Sequence, residues 1–318
     1  MGNFISIDSG TTNTRIYLIK NEQICDVIKL PVGARDTVLT GSTKNLKEQL
    51  KKGIDELLEK NSTSHDEIEC AIVSGMITSE FGLLEVPHAV APIGLDEMVK
   101  GLVEKSFPDI CPFPMRFVAG VKNTYENSDE QDMMRGEETE AIGILASMQE
   151  ESNVILVLPG SHLKIVEVRQ GKITKCYTSL LGEASSAISQ NTLLKDIVHY
   201  TKEIDYDALY DGYQDAMEKG INMSLFKVRK LSLFAGKDKQ YLASYFNGIM
   251  MSCDVKMILS IGMENRSTIV VGGSSPVKEE LAYLIRRQSD LKVVVLEDSI
   301  TQFATAMGAI EICKKRGE

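Results

Sequence analysis

Apolar and polar residues come in short alternating blocks over the first thirty positions. Phe4 to Ile7 is apolar apart from Ser6, Asp8 to Asn13 is polar, Ile16 to Ile19 is apolar, Lys20 to Gln23 is polar, and Ile24 to Leu30 is apolar-rich again. This pattern predicts three antiparallel strands joined by two turns. A second stretch repeats it: Val154 to Leu158, then Pro159-Gly160-Ser161-His162, then Ile165 to Val168, a turn at Arg169-Gln170-Gly171-Lys172, and a third run through Tyr177. Gly10 to Asn21 and Gly160 to Gly171 span the same eleven steps, which points to an internal duplication. Leu46, Leu50, Ile54, Leu57 and Leu58 recur at helical spacing behind the caps Ser42 and Thr43. Cys70 to Ser74 and Met115 to Ala119 read as buried strands. Helices are expected at about 183–196, 206–219 and 240–261, then a strand at Ser267 to Val271, a helix from Pro276, a strand at Lys292 to Leu296 and a last helix from Thr301. A strand-strand-strand-helix-strand-helix order occurring twice predicts two α/β domains of like topology, 1–145 and 146–318, with a cleft between them. Lys122 to Glu140, rich in Asn, Asp, Glu and Ser, reads as a long surface loop at the junction.

Composition narrows the function classes. The chain has 318 residues, 43% of them hydrophobic, enough for two cored domains. Its 45 acidic and 35 basic side chains give a net charge of −10, which argues against a surface built for nucleic acid or an anionic membrane. There is neither a run of about 18 apolar residues nor a signal-peptide layout at the start, so a cytoplasmic protein is expected. The opening Met-Gly-Asn-Phe-Ile-Ser formally matches a myristoylation signal, but Phe4, Ile5 and Ile7 belong to the first strand and no polybasic anchor follows. The six cysteines, at 25, 70, 111, 176, 253 and 313, are too scattered for a metal cluster and are expected to be reduced core thiols.

The candidate chemistry sits in the loops. Asp8-Ser9-Gly10-Thr11-Thr12-Asn13-Thr14-Arg15 follows a buried strand, where glycine permits a tight turn and the following N–H groups and hydroxyls of Thr11, Thr12 and Asn13 can face a phosphate. Asp8, at the strand end, is placed to hold Mg²⁺ directly or through water. Gly160, Ser161, His162 and Lys164 supply a second loop with a hydroxyl, an imidazole and an ammonium. Gly272-Gly273-Ser274 lies between a strand and a helix with proline near its start, a joint that lets a flat ring approach backbone. Taken singly, each of these could be an ordinary turn. Two glycine loops followed by a Gly-Gly joint resemble the nucleotide cleft of the actin, sugar-kinase and Hsp70 superfamily, and this resemblance implies an α/β fold of two ribonuclease-H-like domains of duplicated topology with an interdomain nucleotide cleft.

The resemblance becomes narrower when five blocks are taken in order: Asp8 to Arg15, Gly75-Met76-Ile77-Thr78-Ser79, Met134-Arg135-Gly136-Glu137-Glu138-Thr139-Glu140, Leu158 to Lys164, and Leu181-Gly182-Glu183. This series is similar to that of the 2-dehydro-3-deoxygalactonokinases and spans nearly the whole chain. The chain departs from that family's usual tryptophans at Ser9 and Ile165, and from its Arg-Gln-Gly-Trp run at Glu80-Phe81-Gly82-Leu83. The resemblance implies ATP- and Mg²⁺-dependent phosphorylation of the terminal hydroxyl of a six-carbon 2-keto-3-deoxy sugar acid. Such a kinase needs a base beside the attacking hydroxyl. Glu137 is the first candidate, because its block resembles one whose aspartate is the base in related carbohydrate kinases; Asp132 and Glu138 are the others. Arg135 is the candidate for the substrate carboxylate, with an interdomain ion pair as the competing role. Ser79 and Glu85 are expected on the sugar-side wall. Glu183 would orient the second loop or act as a helix-start acid. Asp8, Gly10, Arg15, Gly160 and Lys164 complete the phosphate set, with Gly272, Gly273 and Ser274 against adenosine. A carbohydrate kinase of different substrate, or a non-catalytic sensor of the same superfamily, also fits these residues, and the sequence allows a homodimer.

Overall fold

A computed structural model describes residues 2–123, 131–148, 153–265 and 267–317. The chain divides into two compact units, one of residues 1–150, 169–176 and 302–318, the other of residues 151–168 and 177–301. The C-terminal helix, which a cut at residue 145 would give to the second half, thus packs in the first unit.

In the first unit, β1 (Asn3–Ser9), β2 (Thr14–Lys20) and β3 (Gln23–Leu30) form the meander. Helices α1 (Ala34–Thr40) and α2 (Lys44–Lys60) follow, then β4 (Ile68–Gly75), β5 (Ala89–Val90), α3 (Leu95–Lys100), β6 (Val103–Lys105), β7 (Met115–Phe117), β8 (Val121–Lys122), β9 (Met133–Met134) and α4 (Glu137–Ser147). The main sheet has the order β3-β2-β1-β4-β7-β6. Strand β1 runs antiparallel to β2 and parallel to β4, and is buried on both faces. Ile5 and Ile7 face a core completed by Leu46, Leu50, Ile54 and Leu57 of α2. Phe4 faces a separate cluster containing Ala306, Ala309, Ile310 and Ile312 of the C-terminal helix Ala304–Gly317. Each such aliphatic side chain contributes about 1.5–3 kcal/mol when fully buried, which is why this strand reads as an apolar run.

The C-terminal helix also packs against α4. A Cβ on Gly143 would lie 1.9 Å from the Ala304 carbonyl oxygen, and one on Gly308 would lie 1.9 Å from that of Thr139. The two backbones meet where each helix offers only hydrogen, and this crossing fixes the helix that carries the glutamate block.

The second unit contains β10 (Asn153–Pro159), all but the last residue of β11 (Leu163–Arg169) and the end of β12 (Lys172–Ser179), then helices α5 (Leu181–Asn191), α6 (Tyr206–Lys219), α7 (Ile221–Phe234) and α8 (Lys239–Asn265), then β13 (Thr268–Val271), α9 (Val277–Gln288) and β14 (Val293–Val295). Its sheet order is β12-β11-β10-β13-β14, with β10, β13 and β14 parallel. Ile155, Val157, Leu163 and Ile165 pack with Val255 and Ile258 of α8 and Leu281, Leu284 and Ile285 of α9.

Several expectations need correction. Within the segment expected as a long loop, residues 124–130 lie outside the described residues, while Met133–Met134 pair as a strand and a helix begins at Glu137. Met134 is buried, so the polar texture ends before the glutamates. Helices α1 and α7 add to the expected set, and the helix expected at 183–196 covers Leu181–Asn191. All six cysteines are free thiols, but Cys25 and Cys253 are exposed rather than core residues.

Candidate functional site

The first cluster forms at the carboxyl ends of β1 and β4. Asp8 stands opposite Arg15 in the β1–β2 ladder, and Arg15 Nη1 donates to Asp8 Oδ2 at 3.0 Å. Burial raises the Asp8 carboxyl above its ordinary value despite the opposing charge and hydrogen bond of Arg15. Gly10 closes the loop by donating its N–H to the Asn13 carbonyl at 2.9 Å, leaving Thr11, Thr12 and Asn13 exposed. The start of α1 is tied to this loop, with Ala34 N donating to Gly10 O at 3.2 Å and Arg35 N to Thr11 O at 2.9 Å.

Two glycines let three elements converge here. Gly75, at the end of β4, has φ 88°, and a Cβ there would lie 2.5 Å from the Ser9 carbonyl. Gly136, just ahead of α4, has φ 116°, and its Cβ would lie 3.2 Å from Gly75 Cα. Both conformations favour glycine, and the contacts bring the head of α4 against the ends of β1 and β4.

The glutamates at that helix head differ sharply. Glu137 is half-buried and accepts the Arg135 N–H at 3.1 Å. Glu138 is fully buried, and both its oxygens accept from Gly136 N, at 2.9 and 2.8 Å. Burial, with the charge of Glu137, pushes the Glu138 carboxyl up to about 8. Glu140 is also pushed up to about 8, by burial and then by the charges of Glu137 and Asp8, with Arg15 opposing. Glu140 therefore belongs to the Asp8–Arg15 cluster. The sequence carries one signal for this, the i+3 spacing that puts Glu140 on the same helix face as Glu137, although Glu140 is not among the expected site residues.

Arg135 is built into the unit. Its Nη1 donates to Thr78 O and to Thr78 Oγ1, each at 2.6 Å, and its Nη2 donates to Val86 O at 3.0 Å and lies 3.2 Å from the His88 ring nitrogens. Burial lowers its pKa, while the nearby Glu138 and Glu85 carboxylates oppose that shift. The fork expected to face a ligand instead clamps the loop from Gly75 to His88. Ser79 Oγ donates to Met76 O at 2.6 Å within that loop, and Glu85 is exposed. Asp132 Oδ1 accepts from Met133 N at 2.7 Å, and its carbonyl accepts from Asn123 N at 2.9 Å.

The second unit assembles a separate group. Gly160 N donates to the His162 carbonyl at 3.1 Å, as Gly10 does to Asn13, and Glu183 N at the start of α5 donates to Ser161 O at 2.9 Å. His162 Nε2 lies 3.4 Å from Glu183. Lys164 is buried and donates to Thr178 Oγ1 at 2.7 Å. Gly272 N donates to Val157 O at 2.9 Å, Gly273 has φ 84°, and Ser274 is exposed. A cavity of about 310 Å³ joins these motifs: Gly160 and Ser274 line it, with Gly182 of α5, Val277 of α9, and Asn247 and Met250 of α8. The α8 residues were not found from the sequence, because a 27-residue apolar-rich helix shows no signal marking one turn as a cavity wall.

In both units a glycine loop follows the first strand of an antiparallel meander that continues into parallel strands, and sequence kinship gives the class: the enzyme is a carbohydrate kinase. The chain belongs to the 2-keto-3-deoxy-galactonokinase family, whose model it matches over residues 8–308. It is 22% identical over 291 residues to the 2-dehydro-3-deoxygalactonokinase of Escherichia coli strain K12, covering 88% of this chain and 89% of that protein. It is 24% identical over 263 residues to a probable 2-dehydro-3-deoxygalactonokinase of Rhizobium meliloti strain 1021, covering 80% and 79%. In fold it resembles the crystal structure of a protein from Sinorhizobium meliloti assigned as a 2-dehydro-3-deoxygalactonokinase, with TM-score 0.78, 20% identity, and coverage of 96% of this chain and 98% of that one. A lesser likeness, TM-score 0.53 at 14% identity with coverage of 99% and 96%, is to the activator of 2-hydroxyisocaproyl-CoA dehydratase from Clostridium difficile with bound ADPNP.

Proposed function

We propose that the enzyme transfers the γ-phosphoryl group of ATP to the terminal (6-) hydroxyl of 2-dehydro-3-deoxy-D-galactonate or a closely similar 2-keto-3-deoxy sugar acid. The observation that carries this reading is the convergence of Asp8, Arg15, Glu137 and Glu140 at the ends of β1 and β4, beside a loop whose Thr11, Thr12 and Asn13 are exposed. The matching strand orders, β3-β2-β1-β4 and β12-β11-β10-β13, support a duplicated topology. On that basis the first half supplies one phosphate loop and the sugar-side residues, and the second half supplies the other loop and the adenosine cavity.

Glu137 is the base in this account. It is half-buried and ready to accept the proton of the attacking hydroxyl, whereas Glu138 is buried, largely neutral near pH 7 and bonded to Gly136, so it positions the helix head. Arg135 shapes the sugar-acid site by holding Thr78, Val86 and His88, with Ser79 and Glu85 on the same wall. Arg15, Ser161, His162 and Lys164 oppose phosphate charge. No group of three His, Cys, Asp or Glu among the described residues is placed to hold a metal alone. One or two carboxylates, Asp8 with Glu140, suit Mg²⁺, which takes much of its shell from water and substrate phosphates. When bound, Mg²⁺ neutralises charge on the transferring phosphoryl group. None of the described helices is long and apolar enough to cross a membrane, and a cytoplasmic kinase acting on a small molecule is the proposed setting.

The test is ATP consumption across a panel of 2-keto-3-deoxy sugar acids, aldonates and neutral sugars. Turnover confined to the keto-deoxy acids is the expected result. Turnover only with neutral sugars would overturn the substrate, and ATP binding without turnover of any of them would favour a sensor.

A further inference from the structure

Asn247 projects from α8 into the cavity beside the second glycine loop, among the apolar walls of Leu181, Met250, Met251 and Val277. Its Nδ2 donates to Glu280 Oε1 of α9 at 2.9 Å. Glu280 is 2% exposed, and its Oε2 is buried without a hydrogen-bond partner among the described residues. An ionised carboxylate has acceptors only, so it dictates which way round the neighbouring amide sits: nitrogen toward Glu280, Oδ1 away from it. Burial, aided by the charge of Glu279, pushes the Glu280 carboxyl up to about 7 while the Asn247 bond opposes this, so the orienting form is present from neutral pH upward. The cavity of about 310 Å³ is at the small end of ligand sites, and its apolar walls suit a flat ring.

We infer that Asn247, oriented by Glu280, reads the 6-position of the donor nucleobase: its Oδ1 accepts from the exocyclic amino group of adenine and disfavours the carbonyl oxygen that hypoxanthine and guanine carry there. The inference rests on the proposed use of a nucleoside triphosphate at this cavity. Asn247 is the specificity-determining residue and Glu280 a positioning residue. A single hydrogen bond of this kind is worth about tenfold, and an acceptor facing an acceptor costs at least as much.

The experiment compares kcat/KM for ATP, purine riboside triphosphate and inosine triphosphate in the wild type, Asn247→Ala and Glu280→Gln. The wild type should prefer ATP over inosine triphosphate about tenfold or more, with purine riboside triphosphate between them. The preference should collapse in Asn247→Ala and weaken in Glu280→Gln, whose amide can face either way. A purely structural role would lower all three values together and leave their ratios unchanged, which would overturn the inference. Should Asn247→Ala not fold, calorimetric binding of ADP and IDP to the wild type decides, and equal affinities reject the assignment. Equal use of ATP and inosine triphosphate overturns this inference alone, whereas absence of all nucleotide binding and turnover overturns the kinase reading as well.

Discussion

Replacing Glu138 by glutamine tests whether the head of α4 holds a neutral carboxyl. The side chain has no solvent exposure, and burial, with Glu137, raises it from 4.5 to about 8. Between those values the folded chain keeps a proton that the unfolded chain releases, so the folded state binds more protons and its stability falls as pH rises through the window. The difference of 3.5 between the two values, at about 1.36 kcal/mol each, sets a ceiling of roughly 5 kcal/mol. Relaxation of the helix start, and a shared proton load with Glu140, bring the expected effect to about 2–3 kcal/mol. Glutamine retains an oxygen for the Gly136 N–H and carries no charge at any pH. Urea unfolding of the ligand-free protein should therefore show Glu138→Gln close to wild type at pH 5 and more stable by about 2–3 kcal/mol at pH 8.5. A stability difference that is the same at both pH values would refute the reasoning.

Two further substitutions probe how the site is held. Arg135→Lys keeps the charge but loses the fork that bridges Thr78, Val86 and His88, so the KM for the sugar acid should rise about tenfold and the melting temperature should fall; unchanged steady-state kinetics would count against the clamp. Gly308→Ala gains about 1 kcal/mol of helix propensity, yet its Cβ would lie 1.9 Å from Thr139 O. Overpacking at about 1–3 kcal/mol or more should win, lowering the melting temperature and, by shifting α4, kcat. Calorimetry showing a higher melting temperature would contradict the crossing.

What the sequence shows of this fold follows from where its signals are local. The β1 hairpin and its copy around Gly160 are legible because apolar runs, a glycine and a polar turn are all contained within about twenty positions. Asp8 and Arg15 face one another simply because the hairpin register pairs them. The roles of Arg135, Glu138 and Glu140 could not be read in the same way. A guanidinium fits a substrate carboxylate and a loop carbonyl equally well, and only the fold of residues 75–88 around Arg135 shows which groups it meets. Three glutamates within four positions, Glu137, Glu138 and Glu140, look alike in sequence; burial at a helix head tells them apart. The C-terminal helix was likewise identifiable as a helix, but not as the brace of α4, since its matching glycines are 165 positions apart at Gly143 and Gly308.

In the proposed reaction Glu137 accepts the proton of a sugar-acid hydroxyl while ATP is held independently. ADP formation with 2-dehydro-3-deoxy-D-galactonate, measured for the wild type and Glu137→Gln alongside calorimetric ATP binding, tests it most directly. The wild type should form ADP rapidly and in a Mg²⁺-dependent way, and the variant should turn over about 10²–10⁴-fold more slowly with ATP affinity retained. Undiminished turnover in Glu137→Gln would contradict it.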